Sequence, residues 1–383
     1  MTRAWLAERI FRHAVRDLPV TVSFPDGTCL GRGGPEMRIV RPVSFFHRLG
    51  THGNVGFGEA YMAGDWESPD LTGVLTPFAA RLTTLVPAPL RALRRLVDTR
   101  RPVTERNTPD GARSNIHRHY DLSNELFELF LDESMTYSSA WFRSGDDLHT
   151  AQLRKIDGIL DYAGVTAGSR VLEIGTGWGA LAIRAAHRGA RVTSLTISAE
   201  QRELAGERVA AAGVADRVSI ELEDYRSATG TYDAVVSVEM VEAVGEEFWP
   251  EYFATLARTL APGGRVGLQA ITMPHGQLLA TRHTHNWIQK YIFPGGLLLS
   301  VPVIEEQAAR AGLVIGRRRS LGAHYARTLS LWRSGFLAAW DEVTSLGFDP
   351  VFERMWEFYL AYAEAGFRSQ YLDVWQFGLR SAA

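Results

Sequence analysis

The sequence predicts an α/β fold with a mainly parallel sheet, preceded by a smaller and mostly helical domain. Its 383 residues are enough for about two domains. Strand-like and helical runs alternate from about residue 150 onward, which is typical of α/β proteins. A glycine-rich turn joins the first of these strands to a helix in "VLEIGTGWGALAIRAA", residues 171–186.

Charge and cysteine content exclude several classes of function. The net charge of −2 gives no bulk attraction to nucleic acid. The single cysteine, Cys29, rules out an intrachain disulfide and a cysteine-based zinc cluster. His283 and His285 lack a third ligand at fixed spacing, so we expect no metal site. The charged N-terminal stretch lacks the apolar run of a signal peptide, and no run reaches the ~20 apolar residues that span a bilayer. We therefore expect a cytoplasmic protein.

Residues 1–105 form the predicted N-terminal domain. A helical opening precedes a hairpin with Pro-Asp-Gly at 25–27, and short helices with glycine breaks follow in residues 53–75. Residues 90–97 have the pattern of a helix with leucines on one face and arginines on the other. These arginines suit an anionic phospholipid surface, and a solvated face on an ordinary packed helix explains them equally well.

Residues 106–383 form the predicted second domain. Its strand-like runs are residues 170–175, 191–197, 218–223, 232–239, 265–272 and 314–321. Residues 272–300 interrupt the alternation with an aromatic-rich insertion, for which we favour a lid over a connector. A strongly apolar helix ending at Gly366 and a last strand complete the domain.

The glycine-rich turn has the features of a nucleotide-binding loop, with a ligand-free turn as the alternative. Gly175, Gly177 and Gly179 let the backbone approach a ligand closely, and the following helix offers free N–H groups. A dinucleotide site has Gly-x-Gly-x-x-Gly and an acid ending the second strand; here the spacing differs and that acid is absent. Glu173 and Asp224 instead suit S-adenosylmethionine. Glu173 would organise the loop and meet the cationic methionine end, and Asp224 would accept from the adenine amino group.

The segment "HYDLSNELFELFLDESMTYSSAWF", residues 119–142, resembles the cyclopropane-fatty-acyl-phospholipid synthase family, which includes the mycolic acid methyltransferases. Further matches are "VLEIGTGWG", "LTIS" followed by Gln201, "SVEMVEAVG", "WIQKYIFPGG", "HYARTL" and "MWEFYLAYAEAGF". Together they cover nearly everything after residue 115. The stretch "GNVGFGEAYMAGDWES" resembles the extra N-terminal domain of the full-length phospholipid enzymes.

This resemblance implies a seven-stranded, Rossmann-like class I methyltransferase domain that binds S-adenosylmethionine. The contacts carried over by motif are Tyr120, Tyr137 and Ser138 closing over the cofactor, Gly175 and Gly177 at its methionine half, Thr196, Ile197 and Gln201 at the ribose, and Asp224 and Tyr225 at the adenine. Core packing is the alternative role for Tyr120 and Tyr137.

The resemblance also implies the acceptor, a cis double bond inside an unsaturated phospholipid acyl chain. An alkene is a weak nucleophile, so it has to be aligned with the methyl donor in a dry site. Methyl transfer leaves a carbocation, and loss of a proton gives a cyclopropane or, after a hydride shift, a methylene branch. Aromatic faces stabilise a cation by about 0.5–2 kcal/mol. An equally good role for aromatic side chains here is to line the pocket that holds the acyl chain. The candidates are Tyr137, Trp141, Phe142, Trp287, Tyr291 and Phe293.

By resemblance, the base that removes this proton is a bound bicarbonate. The glutamate, tyrosine and backbone group that hold it in the family match Glu242, Tyr325 and Ile271. Ser139 stands at the family's cysteine position and Gln269 at its histidine position. Serine keeps the size and a hydrogen bond, whereas glutamine cannot titrate near neutral pH. We therefore expect an altered anion site, which counts against bicarbonate as the base.

A second glutamate, Glu239, precedes Glu242 by three residues. In a dry pocket one carboxylate of such a pair acquires a raised pKa and can act as the base directly. We therefore hypothesise that Glu242 or Glu239 shares or takes over the base role. A helix-start or surface position is the alternative for Glu239.

These features predict an S-adenosylmethionine-dependent enzyme that docks on the inner membrane leaflet and methylates unsaturated phospholipid chains. The departures at Gln269 and Ser139 favour the methylene-branched product, which a partner reductase would convert to a methyl branch. A cyclopropane product remains the alternative. A methyltransferase for a soluble small molecule and a catalytically altered lipid-binding protein are the alternatives. The resemblance is also compatible with a homo-oligomer.

Overall fold

A computed structural model describes residues 2–82, 84–85, 102, 105–108, 111–112, 115 and 123–382. The chain divides into two compact units. The N-terminal unit contains Met1–Pro102, Ala280–Phe293 and Leu329–Tyr371, and the second unit contains Val103–Leu279, Pro294–Thr328 and Leu372–Ala383. The first segment ends close to the boundary predicted near residue 105, but two later segments also belong to the N-terminal unit, which a single boundary does not describe. The basic helix predicted at 90–97 lies outside the described residues.

The helices and strands follow the alternation that the sequence predicts. The helices of the described residues are α1 (Arg3–Val15), α2 (Pro42–Met62), α3 (Leu71–Ala80), α4 (Asn124–Glu128), α5 (Leu148–Ala163), α6 (Ala180–His187), α7 (Ala199–Ala211), α8 (Trp249–Arg258), α9 (His275–Thr281), α10 (Trp287–Tyr291), α11 (Val301–Arg310), α12 (Gly322–Ala338), α13 (Trp340–Ser345) and α14 (Pro350–Arg368). The strands are β1 (Thr21–Ser23), β2 (Cys29–Leu30), β3 (Glu36–Ile39), β4 (Trp66–Glu67), β5 (Arg170–Ile174), β6 (Arg191–Thr196), β7 (Val218–Leu222), β8 (Tyr232–Val238), β9 (Leu260–Thr272), β10 (Leu313–Ser320) and β11 (Asp373–Ser381).

The second unit is built on the predicted seven-stranded sheet. Its strand order is β10-β11-β9-β8-β5-β6-β7, with the pairs from β9 to β7 parallel and those among β10, β11 and β9 antiparallel. The chain order reverses between β8 and β5, and open α/β sheets bind ligands at the carboxyl ends of the strands beside such a point. Ile174 of β5 pairs with Ser237 of β8. The segments that follow these two strands therefore begin side by side.

Apolar layers cover both faces of this sheet because side chains alternate along each strand. Val171 of β5 belongs to a buried cluster with Ile159 of α5 and Ala182 of α6. The next residue, Leu172, belongs to the opposite cluster with Leu256 of α8 and Ile304 of α11. Both clusters keep the strand ends in fixed register, which positions the loops that carry the candidate site.

The N-terminal unit gathers helices from distant parts of the chain. Helix α14 packs against α2 and α3, and the buried Glu364 of α14 accepts a hydrogen bond from Thr72 of α3 at 2.9 Å. The predicted hairpin is confirmed as the antiparallel pair β1 and β2, and β3 runs parallel to β1. Gly53 interrupts α2 with a φ of 56°. No helix of the described residues is both long and apolar enough to cross a bilayer.

Candidate active site

The glycine loop follows β5 and contains three residues in the left-handed region of backbone conformation. Gly175, Gly177 and Gly179 have φ angles of 97°, 52° and 87°, which glycine adopts without the steric cost of a Cβ. The N–H groups of Gly175 and Thr176 donate to the Leu195 carbonyl of β6 at 3.0 and 3.1 Å. A Cβ built at Gly177 meets nothing within 4 Å. The loop is thus fixed on one side and open on the other, and this fits a nucleoside ligand.

Glu173 is connected to this loop through two hydroxyl groups. The carboxylate, buried inside β5, accepts a hydrogen bond from Ser194 Oγ at 2.5 Å, and Ser194 Oγ lies 2.7 Å from Thr176 Oγ1 of the loop. Burial raises the pKa of Glu173 to about 8, opposed by the Ser194 hydrogen bond and the charge of Lys155. A contact between Glu173 and the methionine end of a cofactor stays a prediction.

The residues predicted for the ribose lie together after β6. Thr196 Oγ1 donates to Gln201 Oε1 at 3.0 Å and accepts from the Ser198 N–H at 3.2 Å. Ser198 caps α7, because its Oγ accepts from the Gln201 N–H at 3.1 Å. Ile197 lies between them and is partly buried. The contact of these residues with a ribose stays a prediction.

The predicted adenine acceptor, Asp224, is held by an arginine that the sequence interpretation missed. Arg226 Nε and Nη2 donate to the two Asp224 oxygens at 2.8 and 2.6 Å, which is the bidentate geometry that fixes a carboxylate most firmly. Tyr225, between them, has its ring in edge contact with Tyr252. The sequence did contain a signal for this pair, because Arg226 follows Asp224 by only two residues. The contact of Asp224 with adenine stays a prediction, which now includes Arg226 as the residue that positions the carboxylate.

The segment before α5 contacts the glycine loop through aromatic rings. The ring of Tyr137 packs edge-on against Phe127 with centroids 5.0 Å apart, and Phe127 packs at the same distance against Trp178 of the loop. This position agrees both with core packing and with a role beside the cofactor. Tyr120, the other tyrosine predicted there, lies outside the described residues.

Ser138 contacts a buried lysine that the sequence interpretation also missed. Lys155 of α5 donates from Nζ to Ser138 Oγ at 2.6 Å, and only 1% of the lysine is exposed. Burial lowers the pKa of Lys155 to about 8, opposed by the charges of Glu239, Asp132 and Glu173. A cationic amine therefore lies among the acids of the site.

Two glutamates follow β8 beside the glycine loop. Glu239 comes directly after the strand, with a φ of 51°, and its N–H donates to the Gln269 carbonyl of β9 at 2.8 Å. Glu242 lies in a short 3-10 turn three residues later. A Cβ built at Gly175 would lie 3.3 Å from the side chain of Met240. The glutamate segment is therefore in contact with the glycine loop.

Three donors converge on the carboxylate of Glu239. The Ser139 N–H and Gln269 Nε2 donate to Oε1 at 2.9 and 2.7 Å, and the Tyr325 hydroxyl donates to Oε2 at 2.7 Å. The Ser139 hydroxyl donates instead to the Ala140 carbonyl at 3.0 Å. The site therefore uses the backbone of Ser139 rather than its side chain. The alternative of a surface position for Glu239 is wrong.

Glu242 has a poorer set of donors. Its Oε1 accepts from the Ile271 N–H at 2.5 Å, and its Oε2 is buried without a hydrogen-bond partner among the described residues. Burial and the negative charge of Glu239 raise the pKa of Glu242 to about 8. Burial also raises the pKa of Glu239, opposed by its donors and by the charge of Lys155. All six predicted catalytic residues thus lie together, but their donors are divided between two carboxylates.

Two of the aromatic candidates have a face covered by the chain's own cations. The guanidinium of Arg319 lies 3.8 Å from the ring centroid of Trp141, and that of Arg327 lies 4.2 Å from Phe142. One face of each of these two rings is therefore covered by a guanidinium, and a role of either ring beside a carbocation stays a prediction. The candidates at 287, 291 and 293 belong to the N-terminal unit, where Trp287 packs against the ring of Phe358.

Comparison with known proteins agrees with this geometry. A sequence model of the family described as mycolic acid cyclopropane synthetase matches residues 107–377. The tuberculostearic acid methyltransferase UfaA1 of Mycobacterium tuberculosis is 54% identical over 388 residues, which is 98% of this chain and 91% of that protein. The cyclopropane-fatty-acyl-phospholipid synthase of Escherichia coli is 35% identical over 350 residues, covering 90% and 88% of the two chains.

A solved structure is similar to most of this chain. The mycolic acid cyclopropane synthase CmaA1, crystallised in complex with SAH and CTAB, has 32% sequence identity and a TM-score of 0.65. The match covers 73% of this chain and 98% of that one. The glycine loop and the carboxylate pair therefore belong to a methyltransferase fold that has been seen with an adenosyl ligand.

Proposed function

The chain belongs to the mycolic acid cyclopropane synthetase family, and we propose that it methylates the cis double bond of unsaturated acyl chains in phospholipids. It is an enzyme that uses S-adenosylmethionine. Its relatives carry the names of a fatty-acyl-phospholipid synthase and a tuberculostearic acid methyltransferase. Both names support an acyl lipid as the substrate.

Bound S-adenosylmethionine supplies an electrophilic methyl carbon on a sulfonium. The glycine loop, Thr196, Gln201 and Asp224 would hold it, since they follow neighbouring strands at one edge of the sheet. On methyl transfer the π electron pair of the alkene would form the new carbon–carbon bond, the sulfur–methyl bond would break with its electron pair left on sulfur, and the other alkene carbon would become a cation. The protein must exclude water at that stage, because water would trap the cation as an alcohol.

The observation that carries this proposal is the carboxylate pair beside the glycine loop. Methylation of an alkene has to end with loss of a proton from the cation, and this needs an acceptor close to the methyl donor. Glu239 and Glu242 provide two carboxylates there, with Met240 between them against Gly175. Their raised pKa values are what a proton acceptor in a desolvated site requires.

We propose the methylene-branched acyl chain as the product. The relative with 54% identity is named a methyltransferase, whereas the relative with 35% identity is named a cyclopropane synthase. A methylene group needs a later reduction to become a methyl branch, so a reductase would be the partner. The N-terminal unit would dock on an anionic membrane surface of the cytoplasmic side, with residues 272–300 as the acyl-site lid.

The test uses the purified protein, labelled S-adenosylmethionine and vesicles of phosphatidylcholine with oleoyl chains. Vesicles with fully saturated chains are the matched control. We expect label in the acyl chains of the unsaturated lipid alone. Mass spectrometry after mild hydrogenation separates the products, because the methylene group gains two hydrogens and the cyclopropane gains none.

Three outcomes would contradict the proposal. Label in saturated chains or in the head group would exclude the alkene as the acceptor. Activity on a water-soluble acceptor without vesicles would favour a small-molecule methyltransferase. Failure to bind S-adenosylmethionine in calorimetry would leave a lipid-binding protein that has lost its chemistry.

A further inference from the structure

We propose that Glu239 is the base of this site and that its carboxylate fills the seat where a separate anion would otherwise bind. The inference rests on the proposed function and deepens it, because it identifies which carboxylate accepts the proton. It also implies that the enzyme needs no added bicarbonate.

The number of donors selects Glu239 over Glu242. Hydrogen bonds donated to a carboxylate stabilise its ionised form. Glu239 accepts three of them, from the Ser139 N–H, the Gln269 amide and the Tyr325 hydroxyl. Glu242 accepts one. When the pair carries a single negative charge, that charge therefore resides on Glu239, and Glu242 is the protonated partner.

Within the part of the chain that the structure describes, the same contacts engage the donors that would bind another anion. By resemblance, bicarbonate would be bound at Ser139, Gln269, Tyr325, Ile271 and Glu242. The first three donate to Glu239 and the Ile271 N–H donates to Glu242. Two donors occupy Glu239 Oε1 and one occupies Oε2, so a lone pair on Oε2 is available for the proton.

The backbone of Glu239 is also unusual. Its φ of 51° is a left-handed conformation that glycine adopts freely and a glutamate adopts at a cost. A glycine at this position would relieve that cost and remove the carboxylate together. The change to glycine therefore empties the seat without straining the chain.

The charges around Glu239 come from several elements. Lys155 of α5 is the nearby cation, and its charge favours the ionised carboxylate. The charge of Glu239 raises the pKa of Glu242 in the following turn, so Glu242 faces Glu239 as a neutral acid. Tyr325 of α12 and Gln269 of β9 face it as neutral donors. Among the described residues, the charge of Lys155 fits a site that carries a negative charge on Glu239.

The proton transfer closes the reaction without an oxidant or a reductant. For the methylene product, a hydride first moves with its electron pair to the cationic carbon, so that the cation lies on the carbon that bears the new methyl group. A C–H bond of that methyl group then breaks. Its electron pair forms the carbon–carbon double bond of the methylene branch, and the proton goes to Glu239 Oε2. For the cyclopropane, the C–H pair of the methyl group would close the ring and the proton would go to the same oxygen.

The experiment compares wild type, Glu239→Gly, Glu239→Gln and Glu242→Gln on oleoyl vesicles in bicarbonate-free buffer, with and without added bicarbonate or formate. We expect wild type to be indifferent to the anions. Glu239→Gly should lose about 100- to 10,000-fold of the rate and regain at least about ten-fold with either anion. Glu239→Gln fills the seat with a neutral amide, so its methylation rate should fall in the same way and should not be restored by added bicarbonate or formate. Glu203→Gln, on the exposed face of α7, is the control for a lost surface charge.

Binding of ¹³C-bicarbonate, followed by NMR, tests the seat without any lipid substrate. We expect saturable binding to Glu239→Gly and none to wild type. Wild-type activity that requires bicarbonate, or an active Glu239→Gln variant, would overturn the inference. An inactive Glu242→Gln beside an active Glu239→Gln would assign the base to Glu242. If wild type methylates no lipid, but bicarbonate binds to Glu239→Gly and not to wild type, the proposed function is wrong. The inference that Glu239 fills the anion seat is then still supported.

Discussion

Gln376 of β11 lies directly opposite Gln269 of β9. Its amide Nε2 donates a hydrogen bond to Gln269 Oε1 at 3.0 Å. The same nitrogen donates to the Lys155 carbonyl at 3.0 Å. A primary amide presents an oxygen at one end and a nitrogen at the other. Because Gln376 engages the oxygen of Gln269, the nitrogen of Gln269 faces Glu239 at 2.7 Å. The carboxylate thus receives a donor whose orientation is fixed from the far side.

We expect Gln376→Leu to weaken catalysis without weakening cofactor binding. The Gln269 amide would then be free to rotate and present its oxygen to Glu239. Loss of one hydrogen bond of about 1 kcal/mol corresponds to a kcat roughly 5-fold lower. The pKa of Glu239 should rise, so the rising limb of the pH–rate profile should move to higher pH. Steady-state kinetics over a pH series measures both effects.

Gln307→Leu is the matched control for that change. Gln307 is a buried glutamine of α11, outside the set of groups that contact Glu239. Its replacement also removes a buried amide, so it should alter stability to a similar extent and leave the pH profile in place. Identical pH profiles for Gln376→Leu and wild type would show that Gln269 needs no orienting partner.

Lys155→Met tests the buried cation. Loss of this charge should raise the pKa of Glu239 and of Glu173, since the lysine opposes the effect of burial on both. The rate should therefore fall mainly on the acidic side of the profile, where more of Glu239 becomes protonated. Lys290→Met removes the other lysine of the chain, which pairs with Glu59 in the N-terminal unit. The midpoint of that control profile should not move.

The sequence predicted local features of this molecule better than it predicted partners. The strands of the large sheet were recognisable because strand-like runs alternate with helical runs along the second domain. Lys155 was also within reach, because it lies in helical phase with the buried Ala151 and Ile159 on α5. It was missed because lysine is rarely buried. The carboxylate pair was identified because Glu242 matches the family's glutamate and Glu239 lies three residues before it.

Contacts between distant residues could not be predicted in this way. Gln376 and Gln269 are 107 residues apart, and nothing in either stretch indicates that the strands are neighbours in antiparallel register. The N-terminal unit likewise depends on α14, whose buried Glu364 pairs with Thr72 from 292 residues earlier. Such partners are set by how the elements pack, and a pattern within one element carries no information about that.

The raised pKa of Glu242 makes stability depend on pH. A carboxyl group with a pKa of about 8 in the folded protein and an ordinary value of 4.5 when unfolded binds more protons in the folded state between these pH values. Stability therefore falls as pH rises through that window, by at most about 1.4 kcal/mol per pH unit for this group. Glu242→Gln should flatten the dependence, and urea unfolding at a series of pH values measures it. A slope in Glu242→Gln equal to that of the surface control Glu203→Gln would contradict the raised pKa.

Asp224→Ala should weaken the binding of S-adenosylmethionine at least about ten-fold, the equivalent of one charged hydrogen bond of roughly 1.5 kcal/mol. Arg226→Ala should have a smaller effect, because the arginine positions the carboxylate rather than replacing it. Calorimetry gives both dissociation constants. The exposed Asp216, just before β7, is the control acid, and Asp216→Ala should bind the cofactor normally. Normal binding by Asp224→Ala would remove Asp224 from the adenine site.

Two glycines of the second unit separate cofactor binding from backbone strain. Gly177 of the loop and Gly213, which follows α7, have φ angles of 52° and 69°, and a Cβ built at either one meets nothing within 4 Å. Alanine at each position should therefore cost a similar stability, about 1 kcal/mol, from the left-handed backbone. Only at Gly177 would the added methyl group project from the loop that we assign to the cofactor. Gly177→Ala should thus bind S-adenosylmethionine much more weakly than Gly213→Ala at equal stability, and equal affinities for the two variants would exclude this loop as the cofactor site.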